Sequence, residues 1–373
     1  MIKVSSLSTF SCLLMAGCVN NGVEDTEQLS AAIKNAPVAA VLTCTPSAGA
    51  GTPAITGAAY SSLPPLLDWP RDVPTQVPDL TEPTNNRLND LHGQLRNCSN
   101  MDLVFSSAGN YHMVLRDLFR DILIPGSPIQ NWYYSTSPPV SIDQIANSTL
   151  AFGNLQLGCR PMAAAAGQGV MTTLASRGYA EGAAVRIFRN RGNVILVRKG
   201  NPKHIRNIWD LGRPDVKIIT PHPCLETDAF PNYAGTIYNV AANDPNAPSN
   251  WTAQKLFDSI FNGSQHKWLI GARIHHREEP WAIARGDADA GIIFYHLALN
   301  AVRNFPTLFE IVPLGGTADN PEPLPGNPVN PHFAVRIAGP WTPAQLTNRE
   351  LLMSALVSPQ FKDLLLAHGL ALP

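Results

Sequence analysis

Hydrophobic and polar positions follow three regimes along this chain. Leu7 to Ala16 form a short apolar run broken by Ser and Thr, and residues 19–84 show no periodicity at all. From Asn85 onward, short apolar runs alternate with segments of helical spacing. Leu88 to Leu95 is predicted as a short helix and DLVFSS, beginning at Asp102, as a strand. Ser107-Ala108-Gly109-Asn110 then opens a predicted helix, YHMVLRDLFRDI, in which Met113, Leu115, Leu118, Phe119 and Ile122 share one face. Further strands are predicted at Ala151–Leu157, Asn193–Arg198, Val216–Thr220, Asp289–Phe294, Phe309–Pro313 and Phe333–Ile337. Helices are predicted at Gly169–Arg177, His204–Leu211, Tyr295–Val302 and within Arg349–His368. Strands alternating with helices over this length imply an α/β fold with parallel-rich sheets.

The first regime reads as an address. Lys3 precedes the apolar run, which ends at Met15-Ala16-Gly17-Cys18 and is too short to span a bilayer. Small residues directly before a Cys fit a lipoprotein signal, residues 1–18, with Cys18 as the lipidated residue. The second regime, residues 19–84, is crowded with Pro, Ala, Gly, Ser and Thr and is expected to be a tether without regular structure.

Composition changes this picture little. Lys and Arg total 27 against 28 Asp and Glu, a net charge of -1, so no basic field is present to draw nucleic acid. An anion, if bound, must be held by local donors and dipoles. After Cys12 and Cys18, four cysteines remain: Cys44, Cys98, Cys159 and Cys224. Outside the cytoplasm they permit two disulfides, in pairings the spacing does not choose, or some buried free thiols and at most one bridge.

Enzyme motifs are missing: no G-x-S-x-G elbow, phosphate-binding P-loop or G-x-G-x-x-G fingerprint occurs. The turn VFSSAGNY, Val104 to Tyr111, suits a small oxyanion, since Ser106 and Ser107 carry hydroxyls, Gly109 admits close approach and a helix begins there. A plain helix cap explains the same residues. HHREE, His275 to Glu279, has three readings. It is a solvated helix start, a site where Arg277 clamps an anion through its fork of donors, or a metal site with His275, Glu278 and His296. Tyr111, Trp132, Tyr133, Tyr134 and Trp281 suit stacking on an organic ligand or core packing.

The order of VFSSAGNYHMVLRDLF, GCRPMAAAAGQGVMTTLASRGY, NVILVRKGNPKHIRNIWDLGRPDVKIITPHP, ARGDADAGIIFYHLA and SPQFKDLLLAHGL resembles the molybdate/tungstate-type periplasmic substrate-binding proteins, from Asp102 to Leu370. The resemblance implies a two-lobed periplasmic-binding fold of type 2 with two hinge crossovers. Lobe one would hold residues 85–192 and 331–373, and lobe two residues 193–330. It implies ligand contacts from Ser106, Ser107 and Gly109, from a turn at Ala165 to Gly167 including Ala166, from Cys224 to Thr227, from the stretch after Ile274 including Arg277, and from Tyr295. Departures are clear: Ala163-Ala164-Ala165-Ala166 offers no hydroxyl, and the HHREE run and His296 bring charge and imidazole to the ligand stretch. The expectation is therefore a lipid-anchored, monomeric, extracytoplasmic receptor, not an enzyme. It needs neither cofactor nor metal, takes a molybdate-like oxyanion or small carboxylate, and hands it to an ABC permease. The alternative is a lipoprotein sensor or partner-binding module on the same fold.

Overall fold

A computed structural model describes residues 91–94, 100–135, 140, 142–148, 150–152, 155–224, 226, 228–263, 267–271 and 275–373. The leader with Cys18, the tether, Cys44, Cys98, Thr227 and Ile274 lie outside the described residues.

Two sheets organise the molecule. The first is ordered β1 (Leu91–Gln94), β3 (Trp132–Ser135), β2 (Leu103–Ser106), β6 (Ala163–Ala166), β13 (Pro331–Ile337) and β7 (Ala180–Arg189). The second is ordered β10 (Trp268–Ile270), β9 (Ile218–Thr220), β11 (Ala290–Phe294), β8 (Asn193–Arg198) and β12 (Phe309–Val312). A hairpin of β4 (Leu150–Phe152) and β5 (Leu155–Leu157) stands apart. Both sheets are mixed rather than parallel-rich. β2 runs parallel to β3 and β6, and β9 parallel to β10 and β11, while β13 and β8 run antiparallel to both of their neighbours. β8 and β13 are the strands by which the chain enters the second sheet and returns to the first.

Central strands read as unbroken apolar runs because helices cover both their faces. Val194 to Val197 and Ile292 to Ile293 are at most 1% exposed, at the heart of a core confined to the second sheet and its helices. Around the first sheet, Phe105, Leu115, Phe119, Tyr134, Ile187 and Phe361 form a separate core. A smaller cluster, with Ala164, Met171, Leu174 and Val335, lies on the first sheet as well. This is a two-lobed fold, and the two lobes share no buried cluster.

The helices are α1 (His112–Asp117, continued by a wider turn to Leu123), α2 (Ile142–Asn147), α3 (Gln168–Ser176), α4 (Ala229–Asn243), α5 (Ala253–Phe261), α6 (His275–Arg285), α7 (Tyr295–Asn304), α8 (Pro343–Ala355) and α9 (Pro359–Ala367). Local chemistry fixes their starts. Thr342 and Gln345 form a reciprocal capping box at α8, and Ser358 caps α9 ahead of Pro359. No helix among the described residues is long and apolar enough to cross a membrane.

Four predicted elements differ. The single strand predicted at Ala151–Leu157 is the antiparallel pair β4 and β5. Leu91–Gln94 is a strand, not part of a helix, because antiparallel pairing with Trp132–Ser135 satisfies its backbone. Ala165 and Ala166 are not a turn but the end of β6, paired with Ala334 and Phe333 of β13. The predicted helix at His204–Leu211 shrinks to a 3-10 turn at Ile208–Gly212, held by the Asn207 side chain accepting from Trp209 N and Asp210 N.

Candidate functional site

Two connections join the lobes, and asparagine side chains lock them together. Asn190 Oδ1 accepts from Gly192 N and Asn330 N, both at 3.1 Å, and Asn327 Oδ1 accepts from Asn193 N at 2.7 Å. Asn327 Nδ2 returns a bond to Asn193 O at 2.8 Å, and Asn193 Nδ2 donates to Thr236 Oγ1 of α4 at 2.8 Å. Gly192 has φ +75 and a Cβ there would meet Pro323 at 2.8 Å, so the first crossover turns tightly under the second.

Rings from both lobes fill the floor beside this hinge. Tyr111, at the start of α1, packs on Phe188 (4.7 Å between centroids) and His332 (4.4 Å) of its own lobe. It also stacks on His296 of α7, in the other lobe, at 5.1 Å with planes 12° apart. His296 Nε2 lies 2.7 Å from Asn110 O, so it donates. Burial pushes both His296 and His332 down to about 3, which agrees with neutral, donor-or-acceptor roles.

Behind the floor, α6 starts with a buried acid–base group. His275 N donates to Glu226 Oε1 at 3.1 Å, and its Nε2 lies 2.5 Å from Glu279 Oε2 and 3.1 Å from Ile292 O. Burial alone would lower His275, but the charge of Glu279 and Glu226 outweighs it and raises the imidazole. Burial raises Glu279 against the opposing pull of His275. The solvated reading of HHREE therefore fails for Glu279, which is fully buried under β11. Gly291 makes the space, since a Cβ there would lie 2.4 Å from Glu279 Cδ. The spacing of His275 and Glu279, four residues apart, was the available signal for this pair. Among the described residues no group of His, Cys, Asp or Glu is arranged to hold a metal ion, so the three-ligand reading has no support there.

Between α1 on one side and α6 and α7 on the other lies a narrow, solvent-open cleft with room for about one water molecule. Gly109, His112 and Met113 line it from the first lobe, and His276, Arg277, Leu297 and Asn300 from the second. His276 is held well below its ordinary value, first by burial and then by Arg277, His275, His112 and His296. His276 is therefore a neutral imidazole near neutral pH, standing beside the Arg277 guanidinium.

The predicted contact residues divide. Gly109 and Arg277 reach this cleft. Ser106 and Ser107 are 3% and 1% exposed at the end of β2, where Ser106 Oγ accepts from Ser135 Oγ at 3.4 Å; neither is among the cleft residues. Ala165 and Ala166 are buried in β6. Tyr295 turns the other way, its hydroxyl donating to Asp319 O at 3.2 Å while Arg191 lies over its ring. Cys224 and Cys159 are both disulfide-bonded, and Cys224 N donates to His222 Nδ1 at 3.0 Å. Trp132 and Tyr134 pack on Phe119 in the core, and Trp281 carries Arg285 over its ring at 4.1 Å. Sequence reasoning singled out His276 only within the HHREE run and missed His112, Asn300, Phe188 and His332, because nothing local marks a residue whose partner lies in the other lobe.

The model of one protein family covers residues 161–370, more than half of the chain: the bacterial extracellular solute-binding proteins. The chain belongs to that family. As a bacterial extracellular solute-binding protein it acts outside the cytoplasm, in keeping with its two disulfide-bonded cysteines. Solved structures of similar fold include the periplasmic molybdate-binding protein of Azotobacter vinelandii, 18% identical over 73% of this chain and 99% of that one, with a TM-score of 0.45. The sulfate-binding protein SubI of Mycobacterium tuberculosis is 17% identical over 72% and 85%, with a TM-score of 0.47. Peb3 of Campylobacter jejuni is 12% identical over 72% and 99%, with a TM-score of 0.44. No curated protein sequence is similar enough to this solute-binding protein to match it.

Proposed function

We propose that this protein is a receptor, lipid-anchored at Cys18, that captures a small anion between its lobes and delivers it to a membrane ABC permease without chemical turnover. The lobes are residues 85–192 with 331–373, and residues 193–330, and residues 19–84 tether them to the membrane. The observation that carries the reading is the composition of the cleft. Both lobes contribute to it, its lining holds one guanidinium and two imidazoles, and no carboxylate is among the lining residues. Closure about the asparagine-locked crossovers is the expected functional motion.

Thermal shift against small anions, with equilibrium dialysis, tests this. An anion at 100 times its dissociation constant should stabilise the fold by roughly 2.7 kcal/mol. If no oxyanion or carboxylate shifts the melting temperature and dialysis finds no binding, the receptor reading fails. Membrane fractionation of Cys18→Ala tests the anchor separately: the variant should be released, and a wild type already soluble refutes lipidation.

A further inference from the structure

Cys159 and Cys224 are both disulfide-bonded, and their places in the fold exclude a bond between the two. β13 leaves the hinge at Pro331, opposite Arg189, and reaches Arg336 opposite Ala163 of β6. At about 3.3 Å per residue, Arg336 stands roughly 17 Å out from the hinge. Cys159 lies farther still. β6 runs parallel to β2 with Ala163 beside Phe105, and Met162 N still donates to Val104 O. Continued outward, this register sets Cys159 level with Met101, and both are buried in the same core cluster. Cys159 therefore marks the outer end of the first sheet, away from the second lobe.

Cys224 has the opposite place. It follows β9 in the second lobe, where Cys224 N donates to His222 Nδ1 and Glu226 N to His222 O, both at 3.0 Å. Glu226 Oε1 accepts from His275 N at the start of α6, and His275 Nε2 lies 3.1 Å from Ile292 O. β11 then runs on to Phe294, and Tyr295 N donates to Gly192 O in the first crossover. Cys224 thus stands at the hinge-side end of its sheet. A disulfide holds its two Cα atoms within about 7 Å, and the length of the first sheet separates Cys159 from Cys224. Each must bridge to another cysteine. Cys98 is two residues before Asn100, whose O accepts from Asn131 Nδ2 at 2.8 Å beside the start of β3. Chain reach keeps Cys98 within about 7 Å of Asn100, at the outer end with Cys159 and far from Cys224. Cys12 and Cys18 fall in the leader and its lipid site, so Cys44 remains for Cys224.

We propose that Cys98 bridges Cys159 and that Cys44 bridges Cys224, which fastens the N-terminal segment to the hinge-side end of the second lobe and leaves residues 19–43 as the free tether. The tether length rests on the anchor at Cys18. Each bridge forms by exchange with a disulfide-carrying oxidoreductase outside the cytoplasm: two thiols lose two protons and two electrons, and the donor's disulfide becomes a dithiol. Peptide mapping of the exported full protein, alkylated to block exchange and digested without reductant, tests the pairing. Peptides joining Cys98 to Cys159 and Cys44 to Cys224 are expected. A peptide joining Cys159 to Cys224, either crossed pair, or a link between two chains overturns the assignment. A link to Cys18 overturns both the assignment and the anchor, whereas a free Cys18 thiol beside the two expected bridges refutes the anchor and leaves the pairing standing. Cys44→Ser should give one new maleimide-reactive thiol in the unfolded, unreduced chain, at Cys224; a label at Cys159 instead refutes the pairing. Trypsin cleavage at Arg71 should leave the Cys44 fragment attached until dithiothreitol is added, and its release without reductant overturns the fastening.

Discussion

Gly291→Ala is the sharpest test of the buried group behind the cleft. The added Cβ would lie 2.4 Å from Glu279 Cδ and 2.6 Å from both Cγ and Oε1, distances at which something must move. β11 cannot move easily, since it is paired on both sides, with β8 and β9. The carboxylate must therefore leave its place beside His275 Nε2. Overpacking a tight core typically costs about 1–3 kcal/mol, and disturbing a buried charged contact about 1–3 more, so a total of about 2–6 kcal/mol is expected. Urea unfolding followed by tryptophan fluorescence reads this directly, as a lower midpoint at unchanged slope. A double-mutant cycle makes the test strict. Glu279→Ala alone strands His275 and leaves a void, but in the double variant the new methyl has room. The double variant should thus be less damaged than the sum of the singles, by about 1–3 kcal/mol of coupling. A loss under about 0.5 kcal/mol for Gly291→Ala, or strict additivity in the cycle, refutes the close packing of glycine and carboxylate.

Three further outcomes follow from single residues. Lys267 is buried, donates to Leu211 O and Arg213 O, and is lowered to about 8 by desolvation. The unfolded chain then holds the extra proton between pH 8 and the ordinary lysine value of 10.5, so stability should rise across that window in wild type and not in Lys267→Met. Asp117 loses through burial but gains more from His368 and Arg116, and sits well below the usual carboxylate range. Its contribution is present above the unfolded carboxylate value and fades as pH falls below it; Asp117→Asn should cost about 1–3 kcal/mol at pH 7 and flatten that acid slope in urea titrations. Asn190→Ala removes the acceptor shared by Gly192 N and Asn330 N, so amide exchange at both should accelerate, and unchanged exchange would show that the crossovers are held by other means.

The parts of the fold that were legible are those where local pattern and tertiary environment agree. Asn193–Arg198 coincides with its predicted strand, and the strand before Tyr295 differs by one residue, because a short apolar run buried on both faces needs no further information. Ala180–Arg189 was missed: its residues are mostly small or charged, it lies at a sheet edge, and its partner β13 follows far along the chain. Ala229–Asn243 was missed because Pro231 and several asparagines resemble a loop, although buried Phe230, Tyr233 and Ile237 give it a helical core face. In the cleft, Gly109 and Arg277 were reachable by analogy of position. His112 and Leu297 acquire meaning only when two lobes face each other, and no spacing along one segment encodes that.

The strand order of the first sheet has a consequence for how this protein is made. β13 lies between β6 and β7, antiparallel to both, yet it comes after the whole of the second sheet. Until Pro331–Ile337 emerges, β6 and β7 have no strand to join them, and β7 is cut off from the rest of the sheet. The second sheet has no such debt to the C-terminus, since all its strands fall between Asn193 and Val312. During vectorial passage out of the cytoplasm it can therefore close on itself while its neighbour waits. Chains halted near residue 330 should carry one protease-resistant half and one digestible half, with acquisition of the final 43 residues (331–373) converting the second to the first.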